Sequence, residues 1–275
     1  MKIGNREFDT SIHTYIMGIL NITPDSFSDG GLYQEKNLIL KRVEEMIEEG
    51  CDIIDIGGES TRPGHEKISD DEEIERVTPV IELIKANFDI PISLDTYKSA
   101  VAKAGIEAGI DMVNDIWGLK YDRVMAKVIA EAGIPCCLMH NRKSAAEVPL
   151  KSNQDLISIV ISDLQTCLTL ATTAGIPNDK IILDPGIGFG KTYEENLYIL
   201  KHLAELKSLG YPCLLGASRK SVIGLTLDLP TSERLEGTII TTVMAVMSGY
   251  AFVRVHDIVA NKRSIKMLEA ILNAR

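Results

Sequence analysis

The sequence predicts one α/β domain spanning residues 1–275, a single parallel (β/α)8 TIM barrel preceded by a short N-terminal hairpin. Three observations predict it. Short apolar runs alternate eight times with helix-like stretches. Several units repeat one pattern, a helix ending in glycine, a link of one or two residues, then the next run: EEGCDII, EAGIDMV, EAGIPCC, SLGYPCL. Each run also ends in a hydrogen-bonding or charged side chain. Eight units in about 260 residues match the barrel in count and length. A doubly wound open sheet is the weaker choice, because the chain shows no second zone of composition.

Residues 2–13 read as a hairpin turning at Gly4-Asn5. The strand runs follow at 15–20, 53–56, 92–94, 111–113, 135–139, 180–183, 212–215 and 252–255. Helical periodicity fills 36–49, 71–86, 99–108, 122–132, 154–173, 194–208, 232–247 and 258–273. The first run stops at Asn21 and gives way to a long polar loop, TPDSFSDGG. Ordinary connections need only a few residues, so a loop of this length and polarity reads as part of an active site.

Composition narrows the function. The net charge of −10 and a pI near 5.1 disfavour a general nucleic-acid surface, so a small anion needs a local basic cluster. The five cysteines form no CxxC pair and sit mostly in apolar runs, as expected of reduced, buried thiols in a cytoplasmic protein. Met1 leads into a polar segment without signal-peptide character. The apolar run 239–253 is too short to span a membrane and contains Thr241, Thr242, Ser248 and Gly249.

In such a barrel, side chains just past the strand C-termini meet in one cluster. Here they are Asn21, Gly57 to Gly64, Asp95-Thr96, Asn114-Asp115, His140-Asn141, Asp184 to Lys191, Gly216 to Lys220, and Arg254 to Asp257. Asp after a strand is often only a helix cap, the reading favoured for Asp115 and Asp257. Asp95 and Asp184 differ, because Asn21 and Asn114 occupy matching positions on other strands. Two carboxylates and two amides around an apolar pocket can read the donor and acceptor edge of a flat heterocycle. Ser218-Arg219-Lys220 and Arg254-x-His256 end strands seven and eight, where barrels bind phosphate, and together with Arg62 they favour a phosphorylated substrate. Asn21 with a nearby carboxylate suits Mg2+, which takes few protein ligands and shares phosphate oxygens. The five histidines show no zinc spacing, and His13 and His202 read as structural or surface residues. GIGFGKT, from Gly186, is one residue short of a P-loop and reads as a glycine loop opening the next helix.

These residues resemble the dihydropteroate synthase family across nearly the whole chain. The matching segments are MGILNITPDSFSDGG, DIIDIGGESTRPG, ISLDT, VNDIWG, ILDPGIGFGK, GASRKSVIG, RLEGT and VRVHD. The resemblance implies a homodimeric, magnesium-dependent transferase of folate synthesis. It would join 7,8-dihydropterin-6-ylmethyl diphosphate to 4-aminobenzoate, releasing diphosphate, and be a target of sulfonamides. It places the pterin diphosphate site at Thr61, Asp95, Asn114, Ile116, Met139, Asp184, Lys220, Arg254 and His256, with Asn21 as metal ligand. The 4-aminobenzoate site falls on Thr61, Arg62, Pro63, Phe189, Ser218 and Lys220, and the catalytic set on Asp95, Asp29, Arg62 and Lys220. The helix through 240–247 is the expected dimer face. One departure is the segment Asn141-Arg142-Lys143-Ser144, where the family commonly has a Gln-Gly-x-Pro-like run.

Bond chemistry suggests an SN1-like path. Diphosphate leaves well once neutralised, and the methylene cation is conjugated with the dihydropterin ring. Asp95 and Asp29 would stabilise it, and the arylamine needs positioning more than a base. Two alternatives fit the residues less well. A methyltetrahydrofolate-dependent methyltransferase needs no diphosphate site, so the basic strand ends and the two long loops argue against it. A non-catalytic pterin-binding protein should have lost Asn21, Asp95 or Arg62, and all three are present.

Overall fold

The computed structural model describes residues 1–22, 31–59, 67–142 and 154–274. After the hairpin β1 (Lys2–Ile3) and β2 (Arg6–Glu7) come eight parallel strands: β3 (Tyr15–Asn21), β4 (Ile53–Gly57), β5 (Ile92–Asp95), β6 (Met112–Asp115), β7 (Cys136–Met139), β8 (Ile181–Asp184), β9 (Leu214–Leu215) and β10 (Phe252–Val255). Their order is β8-β7-β6-β5-β4-β3-β10-β9, and a parallel bridge between Leu183 and Cys213 joins the two ends into a barrel. The helices are α1 (Gly31–Glu48), α2 (Asp70–Asn87), α3 (Ser99–Ala108), α4 (Met125–Ala132), α5 (Gln154–Thr173), α6 (Tyr193–Lys201), α7 (Ser221–Leu227), α8 (Leu235–Met247) and α9 (Ile258–Leu272).

Strand periodicity sorts the side chains into two environments. Ile54, Ile56, Leu94, Val113, Leu138, Leu183, Leu215 and Val253 point outward into the main core beneath the helices. Met17, Ile53, Met112, Cys137, Ile182, Leu214 and Phe252 point inward and fill the lower barrel. The hairpin closes that end, with Ile3 and Phe8 buried in the same cluster and Phe8 packed edge-on to Tyr15 at 4.8 Å. Two residues further along, the inward positions turn polar on β4 (Asp55), β6 (Asn114), β8 (Asp184) and β10 (Arg254).

The expected cap glycines take left-handed backbone where helices end; at Gly109 (φ 105°) and Gly133 (φ 62°) the N–H closes the last turn. Several boundaries differ from the sequence reading: α1 starts at Gly31 rather than 36 and α4 at Met125 rather than 122. The stretch 194–208 ends as α6 at Lys201 and continues as a 3-10 turn, Leu203–Leu209, whose three-residue period buries Leu203 and Leu206 together. α8 starts at Leu235 rather than 232. The short α7, SVIGLTL, has poor intrinsic helix formers and left no periodic signal. Its Gly224 packs on Arg234, whose guanidinium a Cβ there would meet at 2.2 Å.

Among the described residues, one helix segment, Leu156–Thr173, is long and apolar enough by length and composition alone to cross a membrane. In the fold it is a barrel helix, with Leu156, Val160, Leu164, Cys167 and Ala171 buried along one face. All five cysteines are unpaired and buried. Burial pushes the Cys51 thiol up to about 12, so it stays protonated.

Candidate active site

The polar layer lies at the strand C-termini. Arg254 of β10 reaches across the barrel: Nε donates to Asp55 Oδ2 of β4 at 2.5 Å and Nη2 to Asp95 Oδ2 of β5 at 2.7 Å. Asn114 Nδ2 on β6 stands 3.4 Å from the same Asp55 oxygen. Burial opposes the Arg254 charge, but Asp55 and Asp95 outweigh it and raise its pKa. Burial raises the Asp95 carboxyl, with Arg254 acting in the other direction. Asp55 Oδ1 and Asp95 Oδ1 are buried and accept no hydrogen bond from the described residues.

Asp184 ends β8, and its Oδ1 accepts from Gly186 N at 2.6 Å. The following loop is tightly built. Gly186 has φ 69°, and a Cβ there would come 2.0 Å from His140 O. Lys191 Nζ donates to Gly186 O at 2.6 Å and Phe189 O at 3.2 Å, so this lysine ties the loop together rather than serving as a solvated surface charge. The loop opens α6 through a capping box of Thr192 and Glu195, as the glycine-loop reading expects. Lys220 donates to Ile187 O, and its ammonium lies 4.2 Å from the centre of the Phe189 ring. Burial pushes Lys220 down to about 8, against Asp184 and Asp95.

Gly216 separates the two halves. A Cβ on it would lie 3.6 Å from Asp184 Oδ2 and 3.9 Å from Arg254 Cβ, so the carboxylate and the guanidinium open into one mouth. Ile116, Met139 and Tyr97 form an apolar wall, with Trp117 and Phe189 packed against it. Ser218 Oγ sits 2.9 Å from His256 Nδ1 and accepts from His256 N at 3.2 Å, so both expected residues belong to one corner. Asn21 is the exposed last residue of β3, opposite Gly57.

The structure therefore brings together Asp95, Asn114, Asp184, Lys220 and Arg254, with Ile116, Met139 and Phe189 as wall and Ser218 with His256 at the corner. Asp29, Thr61, Arg62 and Pro63 lie outside the described residues. Arg219 does not join the cluster: its guanidinium grips Asp257 with bonds of 2.9 and 2.5 Å. Asp257 does occupy the N-cap position of α9, but its carboxylate serves Arg219 instead of the helix. Asp115 accepts from Trp117 N and Leu119 N, capping a turn rather than a helix. Sequence reasoning missed Asp55. Its only signal was position, two residues before Gly57 in the inward set Ile53, Asp55, Gly57.

Among the described residues, no three His, Cys, Asp or Glu side chains cluster as a metal cage. One exposed amide oxygen from Asn21 still fits Mg2+, which keeps several waters and takes the rest of its shell from substrate phosphates.

Residues 17–256 match the family model for pterin binding enzymes. The chain is 55% identical to the dihydropteroate synthase of Clostridium beijerinckii over 99% of both chains. It is 50% identical to that of Bacillus subtilis, over 94% of this chain and 89% of that one. Among solved structures, the dihydropteroate synthase of Clostridium difficile in the presence of pteroic acid superposes with a TM-score of 0.92 at 47% identity, covering 98% of this chain and all of that one. The chain belongs to the pterin binding enzyme family, within its dihydropteroate synthase branch.

Proposed function

We propose that the chain condenses 7,8-dihydropterin-6-ylmethyl diphosphate with 4-aminobenzoate, giving 7,8-dihydropteroate and diphosphate by an SN1-like path. The observation that carries this reading is the pair of unmatched buried acceptors, Asp55 Oδ1 and Asp95 Oδ1, in the mouth shared by Asp184, Lys220 and Arg254. Unpaired buried carboxylate oxygens are costly. An aminopyrimidinone edge, rich in N–H donors, satisfies them. The pteroic acid named for the C. difficile relative, a pterin already joined to 4-aminobenzoate, supports the same assignment.

Each residue then has a role. Asp95, Asn114 and Asp184 read the ring edge, and Ile116 and Met139 pack on its faces. Arg254 is held flat by Asp55 and Asp95, stacks on the ring and faces the diphosphate with His256, which Ser218 orients. Lys220 and Phe189 border the 4-aminobenzoate side with Ser218, and Thr61, Arg62 and Pro63 complete it. Mg2+ held by Asn21 would neutralise the leaving diphosphate. As the C–O bond breaks, Asp95 and Asp29 offset the charge growing on the methylene carbon. The arylamine nitrogen attacks that carbon and loses its proton afterwards.

We assign the dimer face to α8 and α9, which are joined by the Thr242 Oγ1 to Asn261 Oδ1 bond of 2.7 Å. Ile240, Met247, Met267 and Ile271 are each more than half exposed there. Ile240→Glu combined with Met267→Glu should give a monomer in sedimentation equilibrium; an unchanged dimer refutes that face. The buried thiols suit a reducing, cytoplasmic setting.

The deciding experiment is diphosphate release from the dihydropterin substrate, with 4-aminobenzoate and Mg2+ each present or omitted. Dependence on both is expected. Release that ignores 4-aminobenzoate rejects the condensation.

A further inference from the structure

The turn that joins Ser218 to Lys220 is held from outside the pocket. Arg219 has φ 57°, a left-handed backbone that a residue bearing a side chain adopts only under strain. Among the described residues, Leu119 and Asp228 are the other non-glycine residues with positive φ, and only Arg219 stands between two pocket side chains. Lys220 N donates to Ala217 O at 3.3 Å, closing a four-residue turn whose third position carries that φ. Glycine is the usual residue at such a position. Both backbone polar atoms of Arg219 are claimed by the start of α8. Its N–H donates to Thr238 Oγ1 at 3.1 Å, and Arg234 Nη1 donates to its carbonyl oxygen at 2.9 Å.

These contacts form one clamp. Thr238 is fully buried, and its hydroxyl donates to Arg234 O at 2.8 Å, which leaves an oxygen lone pair for Arg219 N. Arg234 Nε donates to Leu229 O at 3.1 Å, so the same guanidinium also fastens the loop that follows α7. Strained backbone persists only where its surroundings over-determine it, and it gathers at functional sites. Here the result is visible on either side of Arg219. Ser218, before it, accepts from His256 N at 3.2 Å and sits 2.9 Å from His256 Nδ1. Lys220, after it, donates to Ile187 O and lies 4.2 Å from the centre of the Phe189 ring. Were Arg219 to relax into an ordinary backbone region, the chain would turn differently and these two side chains would no longer converge. A misplacement of about 1 Å in a positioned group can cost on the order of 100-fold in rate.

We propose that Arg234 and Thr238 are positioning residues, clamping the Arg219 peptide in its left-handed form so that Ser218 meets His256 and Lys220 meets Phe189. Neither touches a substrate; they act through the turn. Their role in turnover rests on the function proposed above.

The test compares wild type with Thr238→Val, Thr238→Ser and Arg234→Lys. Thr238→Val keeps the shape and removes the hydroxyl; KM for 4-aminobenzoate should rise about tenfold and kcat should fall severalfold. The calorimetric Kd for 6-hydroxymethylpterin should change no more than about threefold, because Asp95, Asn114 and Asp184 stay in place. Thr238→Ser, which restores the hydroxyl, should return KM to within about twofold of wild type. Arg234→Lys offers a single point charge for two carbonyls and should raise the same KM about threefold; it decides the matter if Thr238→Val does not fold. A second readout needs no turnover: a side-chain NMR titration of Lys220, assigned from the signal that Lys220→Gln removes. Lys220 faces Asp184 on β8, Asp95 on β5, Arg254 on β10 and Lys191 in the loop after β8, and no substitution alters these groups. Burial holds Lys220 down at about 8, so a released turn should let it climb towards the ordinary lysine value near 10.4 in Thr238→Val and leave it in place in Thr238→Ser. An unchanged KM or an unchanged Lys220 titration in the folded variants overturns the proposal. So does an equal loss for both substrates, or a Thr238→Ser as impaired as Thr238→Val. If wild type releases no diphosphate, the proposed function fails instead, and the titration alone then upholds or overturns the clamp.

Discussion

Replacing Asp95 by Asn separates substrate binding from stabilisation of the cation. The amide keeps the shape of a side chain that is only 7% exposed, and its oxygen can stay on Arg254 Nη2, now 2.7 Å from Asp95 Oδ2. An N–H then replaces the unmatched Oδ1, so the ground state loses about one hydrogen bond, roughly 1–1.5 kcal/mol or about tenfold in Kd. The transition state loses more. With the ring edge on Asp95 and its face on Arg254, the methylene is taken to lie on the order of 6 Å from the Asp95 carboxylate. At an effective dielectric of about 20, one charge at that distance is worth about 2.8 kcal/mol, or about 100-fold in rate. We expect kcat for diphosphate release to fall about 100-fold, while Kd for 6-hydroxymethylpterin rises no more than about tenfold. Because burial raises the Asp95 carboxyl, the wild-type rate should fall as pH drops through that raised value, and the Asn variant should lack this acid limb. Equal losses in kcat and Kd, with an unchanged pH profile, would refute the cation-stabilising role.

Burial pushes Lys220 down to about 8, so its ammonium is lost as pH rises through that value; kcat/KM for the pterin substrate should fall above about pH 8, and Lys220→Gln should remove that limb. Burial, with Lys191, Lys120 and Arg142 nearby, holds His140 down at about 2, and the unfolded chain protonates near 6.5. The stability this neutral histidine contributes is present above pH 6.5 and lost below it at about 1.4 kcal/mol per pH unit. Asp115, raised to about 6 by burial, acts in the opposite sense below pH 6, so the useful measurement is the difference from His140→Asn. Urea unfolding should show that difference changing by about 2 kcal/mol between pH 6.5 and 5, and parallel curves would count against it. Gly186→Ala places a Cβ 2.0 Å from a backbone oxygen at φ 69°, whereas Gly175→Ala meets nothing within 4 Å. The first should cost more than about 3 kcal/mol, over 5 °C in Tm for a chain this long, and the second about 1 kcal/mol by calorimetry.

Most of the barrel was legible because each unit repeats the same local signals, and the strand ends were legible because polarity stops an apolar run abruptly. What stayed hidden has physical reasons. Asp55 lies inside DIIDIGG, in a strand buried on both faces, where alternation does not mark which side points inward. Thr238 meets the Arg219 backbone across 19 residues and Arg234 meets it across 15, and contacts at that separation leave no local pattern. Nothing in the sequence marks Lys191 as the tie of its loop, because its partners are backbone carbonyls, which every sequence has. Arg219 was grouped with the cations because its pairing with Asp257, 38 residues away, appears only when β9 and β10 are neighbours.

The pocket's charge pattern explains why its polar layer sits so high in the barrel. Three buried carboxylates, Asp55, Asp95 and Asp184, face two cations, Arg254 and Lys220, and such a set is costly wherever water is excluded. Four strands offset that cost two residues earlier, with Ile53 beneath Asp55, Met112 beneath Asn114, Ile182 beneath Asp184 and Phe252 beneath Arg254, all fully buried; β5 is the exception, with Ser93 beneath Asp95. The period of two keeps both residues on the inner face and about 7 Å apart along the strand. The hairpin then seals the apolar layer with Ile3 and Phe8. Hydrophobic burial at one end thus lets the other keep unsatisfied acceptors, and a ligand with N–H donors gains the hydrogen bonds that the fold itself leaves unmade.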